Sequence, residues 1–313
     1  MQKYTIVSED GKTKATIVPE RGAFVSSLIL PFQSGARETV FLHDYAWDKE
    51  INDLPGGIPF LFPICARISR NGKDGIYLYD GKQYPLKIHG FSWFEKWTVE
   101  NITENSIEVV LRDNENTLAC YPFHFEIKLK FTVFNGKFEC HQIYKNTGRE
   151  PRAQATGIVR EATYREKPMP YYAGFHPYFL TPKMGFGKEK VVLHFHPVRR
   201  LKYNETLTDI IGEQPVFKTP VNITNPEINE QLSMLGEDKV ATLTFPNGDV
   251  LKTNARGIQD PDIFSYSQLY TIPEKPFFCV ERWMSFPNAL NTVSGVRWLN
   301  PSESEEALFQ VSI

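Results

Sequence analysis

The sequence predicts an all-β chain, a single domain over residues 1–313, whose antiparallel strands form two large sheets packed face to face with minor helix. Three observations carry this. The chain holds 23 Phe, 14 Tyr and 5 Trp, and rings fit a pleated, half-buried surface better than a helix. Turn-forming pairs recur at Asp10-Gly11, Asp80-Gly81, Asn135-Gly136 and Asn247-Gly248, each beside a β-rich run. Finally, 22 prolines and 20 glycines punctuate the chain, and no stretch sustains a capped apolar period of 3.6 residues.

Taken in order, residues 4–7 and 15–18 flank the first turn and read as a hairpin, and residues 76–79 lead into the second. The clearest strand is 125–133. There Phe125, Ile127, Leu129, Phe131 and Val133 alternate with Glu126, Lys128, Lys130 and Thr132, which gives one buried face. Asn135-Gly136 then turns the chain into a partner strand over 137–144. Residues 241–245 precede the fourth turn. The stretch 182–237 is the least patterned and reads as long loops with short strands, not as a domain boundary. One open sheet of so many strands would curl or split, so two stacked sheets are expected.

Composition narrows the function. The apolar share of 41 % and charged share of 23 % are those of a globular chain. A net charge of −2 provides no positive field to gather phosphate backbones, so nucleic acid is not an expected partner. Residues 1–10 contain no apolar run of leader length and no segment approaches a membrane span, so a cytoplasmic protein without membrane association is expected. The four cysteines form no CxxC pair and read as reduced, mostly buried thiols. Nucleophile-elbow, Walker, complete GxGxxG and HExxH patterns are all absent. His194 and His196 would share a strand face, but no third ligand accompanies them, and a structural or exposed pair is expected rather than a metal site.

Three segments combine titratable side chains with aromatic or conformationally special neighbours. The first is Gly56-Gly57-Ile58-Pro59-Phe60-Leu61-Phe62-Pro63-Ile64-Cys65-Ala66-Arg67, followed by Lys87-Ile88-His89-Gly90-Phe91. Arg67 is either a core salt-bridge partner or a fork of donors for sugar hydroxyls or a phosphate. His89 alone would be an ordinary structural histidine. The second segment is Gly174-Phe175-His176-Pro177-Tyr178-Phe179. The proline forces extended backbone on His176, an imidazole able to give or take a proton near neutrality. The third is Phe277-Phe278-Cys279-Val280-Glu281-Arg282-Trp283, continuing to Asn288-Ala289-Leu290-Asn291. On a strand Phe277, Cys279, Glu281 and Trp283 share a face, so a carboxylate stands in an apolar row. Burial would raise its pKa, whereas a partner such as Arg282 or Arg67 would hold it ionised.

In order and spacing these segments resemble the aldose 1-epimerase, or galactose mutarotase-like, family. The resemblance runs from Val18-Pro19-Glu20-Arg21-Gly22-Ala23 to Leu299-Asn300-Pro301-Ser302-Glu303-Ser304. It is strongest to the divergent branch that includes glucose-6-phosphate 1-epimerases. It implies a β-supersandwich with an open sugar cleft, Glu281 as catalytic base and His176 as catalytic acid. Arg67 and His89 match the family's ligand-binding arginine and histidine, and Trp283, beside the base, is expected to contact the substrate. The sequence departs from the family at Ala66, where galactose mutarotases have asparagine, and at Arg282, where proline is common; Arg282 could add a phosphate contact. For the family's sugar-binding aspartate, Asn229 lies in about the right region and Asp209 is a weaker match.

The function so implied is interconversion of the α and β anomers of a hexose or hexose 6-phosphate. The expected partner is that sugar or sugar phosphate, with no metal or organic cofactor and a monomer or homodimer as the working form. Two alternatives stand beside it: a non-catalytic carbohydrate-binding or regulatory protein with the same cleft, and, ranked last, a glycan-processing enzyme. The last needs a pair of carboxylates, and the sequence presents one.

Overall fold

In the computed structural model, residues 1–50, 52–148 and 167–313 are described. All four expected turns join neighbouring antiparallel strands: Tyr4–Val7 to Lys14–Val18, Ile76–Tyr79 to Lys82–Pro85, Phe125–Phe134 to Lys137–Asn146, and Ala241–Thr244 to Val250–Gly257. Asp80 and Gly81 both take positive φ (51° and 72°), as the tightest hairpin turn demands. At Asn135-Gly136 only Gly136 does (72°).

Among the described residues the strands gather mainly into two sheets. One has nine strands, in the order Thr98–Ile102, Ser106–Arg112, Phe125–Phe134, Lys137–Asn146, Ser304–Ser312, Val250–Gly257, Ala241–Thr244, Val192–His194 and Val221–Asn222. The other has eight. Its path runs Ile210–Gln214, Pro197–Tyr203, Gln231–Leu235, Tyr266–Tyr270, Phe277–Trp283, Gly174–Phe175 and Phe60–Leu61, with Tyr178–Leu180 also paired to Phe277–Trp283. A four-stranded sheet spans Tyr4–Val7 to Gly35–Glu38. The described α-helices are two short ones, Glu115–Cys120 and Ala289–Thr292. No described helix is long and apolar enough to cross a membrane.

The two large sheets meet through rings. Phe175 of the eight-stranded sheet stacks on Phe309 of the nine-stranded one at 4.3 Å between centroids and 15° between planes. Phe60 and Phe62 lie against Tyr144. Alternation along each strand sends one set of side chains into this layer and the other set to the outer face. Stretch 182–237 carries more strand than its composition suggests, including the seven-residue Pro197–Tyr203. The four cysteines are free thiols; Cys65, Cys140 and Cys279 are buried and Cys120 partly so.

Candidate active site

The junction that builds the site is the two-residue strand Gly174–Phe175. It pairs on one side with Phe60–Leu61 and on the other with Arg282 and Trp283, so three segments remote in sequence meet there. Glycine is required at 174. A Cβ would stand 2.7 Å from Trp283 Cδ1 and 2.9 Å from the Arg282 carbonyl oxygen. His176 follows directly. Its backbone N–H donates to the Pro59 carbonyl (3.1 Å), and Tyr178 N–H donates to Gly57 (2.8 Å), which holds the histidine extended on either side of Pro177.

On the neighbouring strand Glu281 is 1 % exposed. Its Oε1 lies 3.2 Å from His176 Nε2, and its Oε2 accepts the Trp283 indole N–H at 3.0 Å. Burial pushes the Glu281 carboxyl well above the usual carboxylate range, reinforced by the nearby charge of Glu230 and opposed by the Trp283 donor. Burial also pushes His176 well below an ordinary histidine, with His89 adding to the effect. Their contact therefore joins a strengthened base to a weakened one, and burial favours the neutral pair, with the proton on Glu281. The His176 ring stacks on Tyr178 (4.6 Å, 9°), and its Nδ1 is buried without a partner among the described residues.

His89 faces this pair, its ring 5.4 Å from His176 and 6.1 Å from Trp283, both edge-on. It sits at φ 63°, followed by Gly90 at 72°, where a Cβ would stand 2.2 Å from the Phe62 carbonyl oxygen. His89 Nδ1 accepts the Ala66 N–H at 3.0 Å. Burial, helped by the Arg67 charge, pushes His89 down to about 3. The ring is neutral at pH 7, and with Nδ1 accepting, its one proton is on Nε2. His89 is thus a fixed neutral donor.

These groups line one cavity of about 160 Å³ together with Arg67, Glu230 and Gln268. That is smaller than the roughly 300–1,000 Å³ of pockets for drug-sized ligands, and its lining is rich in both donors and acceptors. Gln268, cross-strand neighbour of Glu281, donates from Nε2 to Glu230 Oε2 (3.1 Å) and accepts Tyr203 Oη–H at its Oε1 (2.9 Å). The other oxygen of Glu230 accepts no hydrogen bond among the described residues. Arg67 is exposed and forms no ion pair among the described residues, so it is not a core salt-bridge partner.

Of the residues singled out by sequence, Glu281, His176, Arg67, His89 and Trp283 come together here, and Arg282, Asn229 and Asp209 do not. Arg282 is corrected. Strand alternation that turns Glu281 and Trp283 to the cavity turns Arg282 into the layer between the sheets, where it is 1 % exposed and its Nη2 donates to the Thr253 carbonyl at 3.2 Å. Burial pushes its guanidinium down to about 9. It does not line the cavity, and it is no partner of Glu281. Asn229 is also corrected. Its Oδ1 accepts the Thr271 N–H at 2.8 Å, away from the cavity, while the next residue, Glu230, turns inward at φ 51°. Asp209 is engaged by Asn288, Thr208 and Asn204. Glu230 also overturns the reading that one carboxylate serves the site.

Comparison with known proteins agrees with this architecture. Protein LacX (plasmid) of Lactococcus lactis subsp. lactis is 25 % identical over 260 residues, covering 79 % of this chain and 80 % of that protein. Among solved structures, the Slr1438 protein of Synechocystis superposes with a TM-score of 0.77 at 23 % identity, over 99 % of this chain and 96 % of that one. A galactose mutarotase-like protein of Lactobacillus casei gives 0.77 at 21 %, over 99 % of each. A galactose mutarotase related enzyme of Lactobacillus acidophilus gives 0.76 at 22 %, over 99 % and 97 %. These likenesses fix the galactose mutarotase-like fold. The family model described as aldose 1-epimerase matches residues 4–250, a stretch that includes Arg67, His89, His176 and Glu230 and stops before Glu281. The chain belongs to the aldose 1-epimerase family.

Proposed function

We propose that this chain is a mutarotase acting on a hexose or hexose 6-phosphate, with Glu281 as base and His176 as acid. The observation that carries the reading is the 3.2 Å contact of a buried carboxylate and a buried imidazole inside a cavity lined by sugar-compatible donors and acceptors. Ring opening needs one proton removed from the anomeric hydroxyl and one delivered to the ring oxygen. Glu281 takes the first and His176 gives the second, the C1–O5 bond breaks, and an open-chain aldehyde results. Rotation about C1–C2 presents the other face of the carbonyl. The same two protons then move back as the ring closes, so the pair ends as it began.

The charge states fit this cycle. Ionised Glu281 with protonated His176 is the reactive form, and ring opening converts it to the neutral pair that burial favours. His89 Nε2–H and the Arg67 fork supply donors to sugar oxygens, and Glu230 accepts from a hydroxyl. Polarimetry of freshly dissolved α-D-glucose, α-D-galactose and α-glucose 6-phosphate tests the proposal. The chain should speed equilibration of at least one of them, and Glu281→Gln should abolish the effect. Saturable binding of these sugars with no acceleration would instead favour the non-catalytic, sugar-binding alternative.

A further inference from the structure

Beyond Trp283 the chain leaves its strand and reaches Asn288, a residue that does not itself line the cavity but ties its own turn to two remote segments. Its backbone N–H donates to the Arg67 carbonyl at 3.1 Å. Its Oδ1 accepts from Ser69 N–H at 3.1 Å and Asn291 Nδ2 at 2.9 Å, and its Nδ2 donates to Asp209 Oδ1 at 2.9 Å. Asn288 is 7 % exposed and sits at φ 64°, a conformation asparagine tolerates better than most residues.

Two groups that line the cavity, Arg67 and Leu207, are carried on the segments it ties. Arg67 has no ion-pair partner among the described residues, so the aim of its guanidinium follows from the backbone that carries it. That backbone includes Ala66 at φ 66° and is pinned by His89 on one side and Asn288 on the other. Leu207, at φ 58°, is borne by the loop 204–209, between strands Pro197–Tyr203 and Ile210–Gln214. That loop is closed on itself. Asn204 N–H donates to the Asp209 carbonyl (2.9 Å), and Asn204 Oδ1 accepts from Thr208 N–H (2.9 Å) and Asp209 N–H (3.2 Å). Asp209 Oδ2 accepts from Thr208 Oγ1 (2.9 Å) and Asn204 Nδ2 (3.2 Å), which leaves Oδ1 for Asn288.

We propose that Asn288 and Asp209 form a positioning latch that fixes the spacing of Arg67 and Leu207 across the cavity, and so sets affinity for the sugar without touching it. The ligand's identity rests on the function proposed above; the latch itself does not. Because neither residue contacts the reacting atoms, its loss acts on binding more than on turnover.

A charge-swap series tests this in the full chain. Asn288→Asp keeps the acceptor for Ser69 but sets a second carboxylate against Asp209. Adding Asp209→Asn restores one donor facing one acceptor with the polarity reversed. For whichever of the three sugars above is turned over, KM should rise about tenfold in the single variant with kcat within about threefold, and the swap should return KM to within about twofold. Hydrogen exchange at the Thr208 and Asp209 amides should quicken in the single variant and recover in the swap. Unchanged exchange, a swap that restores nothing, or a fall in kcat that tracks a lowered melting temperature would each overturn the latch. If the unaltered chain turns over none of the sugars, the proposed function fails, while the exchange measurements still decide the latch.

Discussion

At the scale of single residues, the charged form of Glu281 is costly to hold where it lies. A carboxyl raised by burial keeps its proton in the folded state at pH values where the unfolded chain has lost it. Its contribution to stability is therefore full below about pH 4.5 and is lost as pH rises toward the folded value. Glutamine does not titrate and can still accept the Trp283 N–H. Glu281→Gln should then melt higher than the unaltered protein at pH 8, with the gap closing toward pH 4, while activity falls by roughly 10²–10⁴-fold. Scanning calorimetry across that range would refute the burial argument if the gap had the opposite trend. His89 has the opposite sign. Its pKa is depressed to about 3, so the unfolded chain gains a proton below pH 6.5 that the folded chain refuses, and stability falls from pH 6.5 to about 3. Asparagine keeps an acceptor for Ala66 N–H and suits φ 63°. His89→Asn should flatten the acid limb in urea unfolding at pH 4 against pH 7, and an unaltered slope would place the acid sensitivity elsewhere.

At the scale of elements, the site depends on how closely Gly174–Phe175 can approach the Phe277–Trp283 strand. Gly174→Ala would press a methyl group onto the indole and the Arg282 carbonyl, lowering stability by about 1–3 kcal/mol. It would also draw the Trp283 N–H from Glu281 and shift the alkaline side of the pH–rate profile upward. Normal melting with an unshifted profile would disprove that coupling. Much of this was legible in the sequence. Alternation placed Glu281 and Trp283 on one face, and Pro177 announced the extended His176. The same alternation put Arg282 on the opposite face, so its nomination as a phosphate contact ran against its own strand. Glu230 was not legible, because its inward turn depends on a left-handed backbone that glutamate does not signal. Tyr203, Leu207 and Gln268 were hidden too, since their place at the cavity follows from pairings between distant strands.

At the scale of the whole molecule, a guanidinium lies between two packed sheets with Nε and Nη1 unpaired among the described residues. Replacing a buried, poorly paired charge with an apolar side chain of similar volume is often stabilising by about 1–4 kcal/mol. Arg282→Met should raise the urea midpoint and leave kcat/KM within about threefold. Lost stability, or a KM change confined to phosphorylated sugars, would return Arg282 to the site.

Strand Ser304–Ser312 lies inside the nine-stranded sheet, between Lys137–Asn146 and Val250–Gly257. Until these residues are in place, both flanking strands present bare edges to solvent or to one another in the wrong register. Closure is thus a late zippering event that joins strands remote in sequence, and removing Ser304–Ser312 would leave two sticky half-sheets in place of one nine-stranded sheet.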